Sequence, residues 1–254
     1  MTPQLRDDLI DLTNAESVQE LWETHCARMD AYGFDRLLYG FTRFLTATSF
    51  GDPNDFIVLT NHTPAYRKGF VEGGLYRHAP MVRWALENEG HCSWRVMAEQ
   101  INQGTLDDKA AKVVAFNMQH KVHAGYTMSF QSVSRRAKGA ISMTTRADMT
   151  QDDADAIWAK HGQDIILLNN LVHLKILTLP LPLMNQNLTP RQREALEWVG
   201  DGKTMQDIAQ IMGLTQATIE KHLRLARDTL NVDTTAQAVA KAAFHNQMYI
   251  LEAH

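Results

Sequence analysis

The sequence predicts an α+β protein in two parts: an N-terminal α-β-α sandwich around an antiparallel sheet, residues 1–178, and a C-terminal domain of four helices, residues 188–254. Three observations predict it. Strand-like segments fall in neighbouring pairs, with helical patterns before and after them, the order of an antiparallel sheet covered by helices. Residues 179–187 read as a linker, with Pro180, Pro182, Asn185, Gln186 and Asn187 and no charge. Beyond that linker every pattern is helical.

From Ser17 to Tyr32 the apolar residues Val18, Leu21, Trp22, Cys26 and Met29 recur at helical spacing, and Ser17 with Glu20 three residues on reads as a capping box. Arg36 to Leu45, rich in aromatics and bounded by turn residues, predicts a strand. Gly51 to Asp55 is a turn, and Phe56 to Thr60 a second strand. Helices follow over 64–74 and 80–89. Tyr126–Val133 and Ala140–Thr145 predict two more strands, joined by the polar, glycine-ended loop Ser134–Gly139. Thr150 starts a long helix through Ile157, Trp158, Ile165, Leu168, Leu171 and Leu174, which Pro180 and Pro182 end.

Composition excludes several classes. The chain has 254 residues, 44% hydrophobic and 21% charged, with a formal net charge of −4. That is an ordinary globular balance, neither that of a disordered chain nor globally basic. Two cysteines, Cys26 and Cys92, exclude a disulfide scaffold and a cysteine-based zinc site. The most apolar stretch, Ile165 to Leu183, is broken by Asn169, Asn170, His173, Lys175 and two prolines, so no membrane span is expected. The N-terminus is polar and acidic, unlike a signal peptide, and the expected location is the cytoplasm. Enzyme readings are weak: no G-x-S-x-G, P-loop or H-E-x-x-H occurs, and His91 and Cys92 are adjacent, so that in a strand they would point apart. His120 and His123 lack nearby acidic or thiol ligands and read as surface residues; no metal is expected.

In the C-terminal part Thr189 caps a helix through Arg193, Leu196 and Val199 that Gly202 ends. Thr204 caps the next, with Ile208, Ala209, Ile211 and Met212 on its apolar side. Gly213-Leu214-Thr215 is a tight turn, and a third helix, Gln216 to Leu230, turns Ile219, Leu223, Ala226 and Leu230 inward. A fourth starts near Thr235. Helix, short glycine turn, helix is the helix-turn-helix layout. The outer face of the third helix carries Gln216, Glu220, Lys221, Arg224, Arg227 and Asp228, a surface that fits a major groove or is simply a solvated face. Residues 189–254 hold seven lysines and arginines against eight aspartates and glutamates, so any DNA footprint is local.

Leu188 to Trp198, then Gly202-Lys203-Thr204 and Ile208-Ala209, resemble the opening of the LuxR-type DNA-binding domain. Thr218-Ile219-Glu220-Lys221-His222-Leu223 is similar to that family's recognition helix. The departures are Gln192 for the usual Glu and Glu220 where Lys is frequent. The resemblance implies binding to double-stranded DNA as a homodimer on an inverted repeat, through Lys221, Arg224 and Arg227, with Gln216 and Thr218 near base edges.

The N-terminal part resembles the acyl-homoserine-lactone-binding domain of quorum-sensing regulators. Its carriers are Pro64 to Phe70, Ala79-Pro80-Met81-Val82, Trp94 and Gly125. The resemblance implies a ligand pocket of Tyr66, Phe70, Ala79, Trp94, Met128 and Ser142. Tyr66 stands for the Trp that binds the lactone carbonyl, Phe70 for a Tyr that helps hold the acyl carbonyl, and Ala79 for the Asp that accepts the amide N–H. Trp94 matches the Trp against the lactone ring. Losing a buried acceptor costs about 1–3 kcal/mol, tenfold or more in affinity. The expected ligand is an acyl-homoserine lactone or, given these losses, a more apolar small molecule. Met128 and Met143 are candidate fillers of the space. The chain thus reads as a cytoplasmic LuxR-type transcription regulator; the rival is a ligand-independent regulator whose first domain only dimerises.

Overall fold

The computed structural model describes residues 2–46, 49–132, 134–181 and 187–250. It divides at Leu177/Thr178 into two compact units. The first begins with α1 (Pro3–Asn14), which the sequence reading overlooked although Thr2 caps it and Pro3 opens it. Helix α2 (Val18–Tyr32) starts where expected, the Ser17 side chain accepting the Glu20 N–H. The Glu20 carboxylate reaches back to the Glu16 N–H, one residue short of a reciprocal capping box.

Strands β1 (Arg36–Thr42), β2 (Ile57–Thr60), β3 (Gly90–Ser93), β4 (Gly125–Ser129) and β5 (Lys138–Thr144) form one sheet in the order β2-β1-β5-β4-β3, antiparallel throughout. Strand β3 was not expected: four residues of Gly, His, Cys and Ser carry no strand pattern, and pairing with β4 defines them. Strand β1 stops at Thr42 because its hydroxyl turns to the Phe50 carbonyl. Val133, the expected end of the third predicted strand, lies outside the described residues.

Between β2 and β3 the chain forms α3 (Pro64–Arg67), a wide π turn over Lys68–Glu72 in place of the single expected helix, and α4 (Pro80–Glu87). Between β3 and β4 run α5 (Arg95–Asn102) and α6 (Asp108–Gln119), both missed. Helix α7 (Gln151–Ile176) closes the unit and opens on a complete capping box of Thr150 and Asp153.

Pleating sorts the sheet's residues. Leu37, Tyr39, Ile141 and Met143 are fully buried and belong to the face under α7. There the Tyr39 hydroxyl meets His173 Nδ1 at 2.9 Å, and Asn169 Nδ2 lies 3.4 Å from Met143 Sδ. Leu38 belongs to the opposite face, packed by Tyr66, Phe70, Met81, Trp94 and Met97. Gly125 has no substitute at the β4 start, since a Cβ there would lie 2.1 Å from the Met143 carbonyl oxygen.

The second unit holds α8 (Pro190–Gly200), α9 (Met205–Met212), α10 (Gln216–Leu230) and α11 (Thr235–Phe244) around Leu196, Ile208, Ile219, Leu223, Leu230 and Ala242. Threonines 189, 204, 215 and 234 cap the four helices. Gly213, at φ +65°, ends α9 in the left-handed region and sets up the turn into α10. Of the expected linker, residues 182–186 lie outside the described residues; Leu179 and Leu181 bond to the turn after α11, through Asn246 Nδ2 and the His245 carbonyl. No helix among the described residues is long and apolar enough to cross a membrane.

Candidate functional site

Two adjoining cavities lie on the sheet face away from α7. The larger, about 120 Å³, is walled by residues such as Phe50, Phe56, Tyr76, Val82 and Ala140. The smaller, about 30 Å³, is walled by His62, Tyr66, Ala79, Trp94, Asn117 and Thr144 among others. Leu38, Phe70, Met81, Val82 and Ser142 line both. Five of the six expected pocket residues are therefore brought together: Tyr66, Phe70, Ala79, Trp94 and Ser142.

Met128 is the exception. It pairs with Ile141, and the neighbouring Tyr126 pairs with Met143. A strand's side chains alternate, so Met128 and Met143 stand on the α7 face and line neither cavity. The expectation of methionine fillers is corrected accordingly. The residue aimed at the pocket is Thr127, opposite Ser142 on the next strand.

Tyr66, on α3 one turn after the Thr63 cap, is stacked between two rings. His62 lies 4.3 Å away at 20°, and Phe70 5.2 Å away at 13°. Its hydroxyl donates to Asn117 Oδ1 at 3.1 Å, so the donor expected for a ligand is already engaged by α6. Burial pushes that hydroxyl's pKa up. Trp94 caps α5 and sends its indole N–H to Thr127 Oγ1 at 2.8 Å; Thr127 in turn lies 3.4 Å from Ser142 Oγ. This polar chain crosses the pocket floor. Ser93, one residue earlier, donates to Asp155 of α7 at 2.7 Å, and Arg95 clamps the same carboxylate, which fixes the turn that carries Trp94.

Ala79 is 5% exposed and is the N-cap of α4, with no side chain to accept an N–H. His78 beside it is exposed and supplies no replacement acceptor. His91 packs on Trp158 of α7 while Cys92 pairs with Thr127 on the other face, so the two do point apart.

Sequence reasoning missed His62, Asn117 and Thr144. Thr144 was findable: it follows Ser142 by two residues on one strand, hence on the same face. His62 sits in a bend and Asn117 on a helix that was not foreseen.

In the second unit α10 displays Gln216, Glu220, Lys221, Arg224 and Asp228 to solvent, while Ile219, Leu223, Ala226 and Leu230 are buried. The Thr218 hydroxyl lies 2.9 Å from that of Thr215 inside the cap. Arg224 reaches Asp228 one turn on at 3.3 Å, both exposed, a weak pair that DNA phosphates would displace. Arg227 stands differently from the expectation. Its side chain is 19% exposed, and its guanidinium donates to Thr235 Oγ1 of α11 at 2.9 Å and to Glu220 Oε1 at 3.0 Å. It braces α10 against α11, because seven residues along a helix return it to the side of Glu220 and toward the next helix.

Together, an apolar pocket on an α-β-α unit and a helix-turn-helix unit define a sensor-linked DNA-binding regulator. Residues 17–176 match the autoinducer binding domain, and residues 186–242 match the bacterial regulatory proteins of the luxR family. The chain belongs to the LuxR family of transcription regulators that carry an autoinducer binding domain. It is similar to the transcriptional activator protein AnoR of Acinetobacter nosocomialis, 27% identical over 227 residues, 88% of this chain and 90% of that one. It is also similar to the transcriptional activator SolR of Ralstonia solanacearum, 26% identical over 250 residues, 95% and 98% of the two chains. Its fold is like that of SdiA solved in complex with octanoyl-rac-glycerol, with a TM-score of 0.51, 18% identity and coverage of 95% and 94%. The N-acylhomoserine lactone dependent CepR2 from Burkholderia cenocepacia gives a TM-score of 0.52 at 16% identity, over 67% of this chain and 92% of that one.

Proposed function

We propose that this regulator works in the cytoplasm as a homodimer on an inverted-repeat promoter site and that its N-terminal domain senses a small, mostly apolar molecule. The observation that carries the sensing reading is the paired cavity with apolar walls, to which Tyr66, Phe70, Ala79, Trp94 and Ser142 all contribute. With Ala79 in place of an acceptor and the Tyr66 hydroxyl engaged by Asn117, an acyl-homoserine lactone meets few of the polar groups it needs. Standard lactones accordingly bind poorly. SdiA has been solved with octanoyl-rac-glycerol, which carries an eight-carbon acyl chain and neither a lactone nor an amide.

On DNA, Lys221 and Arg224 contact phosphates or guanine edges, and Gln216 and Thr218, at the start of α10, lie near the bases. A Lys221→Ala, Arg224→Ala double variant is expected to lose promoter-fragment binding in a fluorescence anisotropy titration; binding equal to the parent's would sink the DNA assignment.

One observation favours a second reading, a regulator whose first domain only dimerises. The stacked His62, Tyr66 and Phe70 rings occupy much of the head-group end of the pocket. Mass spectrometry of molecules extracted from purified protein, with thermal shifts across a lactone panel, separates the two. A bound ligand at a hundredfold excess over its Kd adds about 2.7 kcal/mol of stability. Clear stabilisation by a standard lactone at micromolar concentration would overturn the altered-ligand reading.

A further inference from the structure

Helix α10 carries a fixed acid beside its basic residues. The Glu220 side chain is 57% exposed, one turn after Gln216 and next to Lys221. Its Oε1 accepts from the Arg227 guanidinium at 3.0 Å, two turns on. Arg227 is itself anchored, since another of its nitrogens donates to Thr235 Oγ1 on α11 at 2.9 Å. The carboxylate is thus tied through one arginine to a second helix, where an unpaired surface glutamate would sample several rotamers. Its Oε2 has no hydrogen-bond partner among the described residues. Arg224, one turn further on, turns to Asp228 and leaves that oxygen open.

A carboxylate held on this face meets DNA favourably in one way. Phosphates repel it, and a base edge without a donor strips its water and returns nothing. In the major groove guanine offers the acceptors N7 and O6, and thymine offers O4 and a methyl group. Adenine has an amino group at N6, but the N7 lone pair beside it faces the carboxylate. Cytosine presents its N4 amino group with no acceptor next to it on its own edge. Glu220 falls in the first half of α10, the part of a recognition helix that reaches base edges.

We propose that Glu220, positioned by Arg227, accepts a hydrogen bond from a cytosine N4 amino group in each half-site and rejects thymine there. This rests on the DNA assignment above and adds a specificity-determining residue to it. Lys221 and Arg224 draw the helix to DNA, and Glu220 narrows which sequence it accepts.

The test selects bound duplexes from a randomised pool with the full-length protein, then compares parent and variants on the selected site by fluorescence anisotropy. The parent's motif is expected to hold one cytosine in each half-site whose preference Glu220→Ala removes. Changing that C·G pair to T·A should weaken the parent about tenfold and the Glu220→Ala variant less than about twofold. Glu220→Gln should turn the preference at that position to adenine, because an amide pairs with both N6 and N7. Arg227→Ala, read well below its melting temperature, should cut the parent's ratio between the two duplexes to about threefold. A smaller folded fraction would weaken both duplexes equally, so a fall in the ratio reports the placing of Glu220 and not stability. If Glu220→Ala and Glu220→Gln select the parent's motif unchanged, this inference falls while the DNA assignment stands. If Arg227→Ala keeps the full ratio, the positioning role of Arg227 falls. If the parent enriches no motif, this inference falls; if the Lys221, Arg224 double variant also binds DNA like the parent, the DNA assignment falls with it.

Discussion

The two units of this chain are held by bonds of different reach. In the C-terminal unit each helix starts at a threonine that accepts an N–H three residues on, and α9 ends on a glycine suited to the turn that follows. In the N-terminal unit the buried polar bonds span the chain: His25 to Asn169 at 3.1 Å, Tyr39 to His173 at 2.9 Å, and Ser93 to Asp155 at 2.7 Å. A unit built from local signals loses stability in small, separable steps. One that buries histidines in distant pairings responds to pH and to single close contacts. The difference teaches that the sensing half is where this protein is conditional.

The largest expected break in that contrast is Gly125→Ala. Its methyl would press on the Met143 carbonyl and part β4 from β5. We expect the N-terminal unfolding transition to lose about 3 kcal/mol or more in urea, with the C-terminal transition unmoved.

Acid comes next. Burial lowers His25 and His173 to about 4 each and His62 to about 3, all below the unfolded value of 6.5. Below pH 6.5 the unfolded chain takes up these protons and the folded one does not, so stability is full above pH 6.5 and falls as pH drops toward 4. The slope approaches about 1.4 kcal/mol per pH unit for each ring. A melt series from pH 7 to 4.5 should show the N-terminal transition falling first; a pH-independent transition would remove these rings from the argument.

The two arginines of α10 sharpen the other side. Arg224→Ala should weaken DNA binding by about 1–3 kcal/mol or flatten its salt dependence. Arg227→Ala should instead destabilise the C-terminal unit by about 1 kcal/mol, seen as a lower melting temperature, since its bonds go to Thr235 and Glu220. Equal effects of both variants on DNA affinity alone would restore Arg227 as a contact.

The smallest expected effect is Ala79→Asp. The position is the uncapped start of α4, so a carboxylate there adds about 1 kcal/mol of helix capping before any ligand arrives. A gain in lactone response is therefore meaningful only beyond that of Ala79→Ser, which caps with less acceptor strength. Equal responses from the two variants would trace the gain to the helix instead of the ligand.

How much was legible followed the same division. Thr189, Thr204, Gly213 and Thr215 announce their helices because caps and left-handed glycines act within one turn. Strands β1, β2, β4 and β5 were foreseen from their aromatic and β-branched runs, but Gly90–Ser93 becomes a strand only because β4 offers it an edge. Tyr66, Phe70, Ala79, Trp94 and Ser142 were located through the family pattern and do converge. Met128 was misplaced by one pleat, an error that strand alternation would have exposed once its neighbours were assigned. Asn117 was invisible because helix α6 carries mixed residues such as Lys112, Ala115 and Asn117 without a clean apolar stripe. The bonds of Arg227 to Thr235 and Glu220 were not legible, because periodicity says which face a residue occupies and nothing about which neighbouring helix its tip will meet.

The residues flanking the four C-terminal helices have a consequence for cutting and grafting. Leu181 donates its N–H to the His245 carbonyl, Asn246 holds the Leu179 carbonyl, and Leu188 donates to Gln247. Tyr249 returns to α8, its hydroxyl on Asp201 at 3.0 Å and on the Glu197 carbonyl. The two flanks of the module are thus stitched to each other. A fragment trimmed to residues 186–242, the span shared with the wider luxR family, would lose both edges of that seam and leave Leu196 and its neighbours less protected. The portable piece, for a chimera or an isolated DNA-binding fragment, runs from Thr178 through at least Ile250, and a proteolytic nick near either edge should loosen the other.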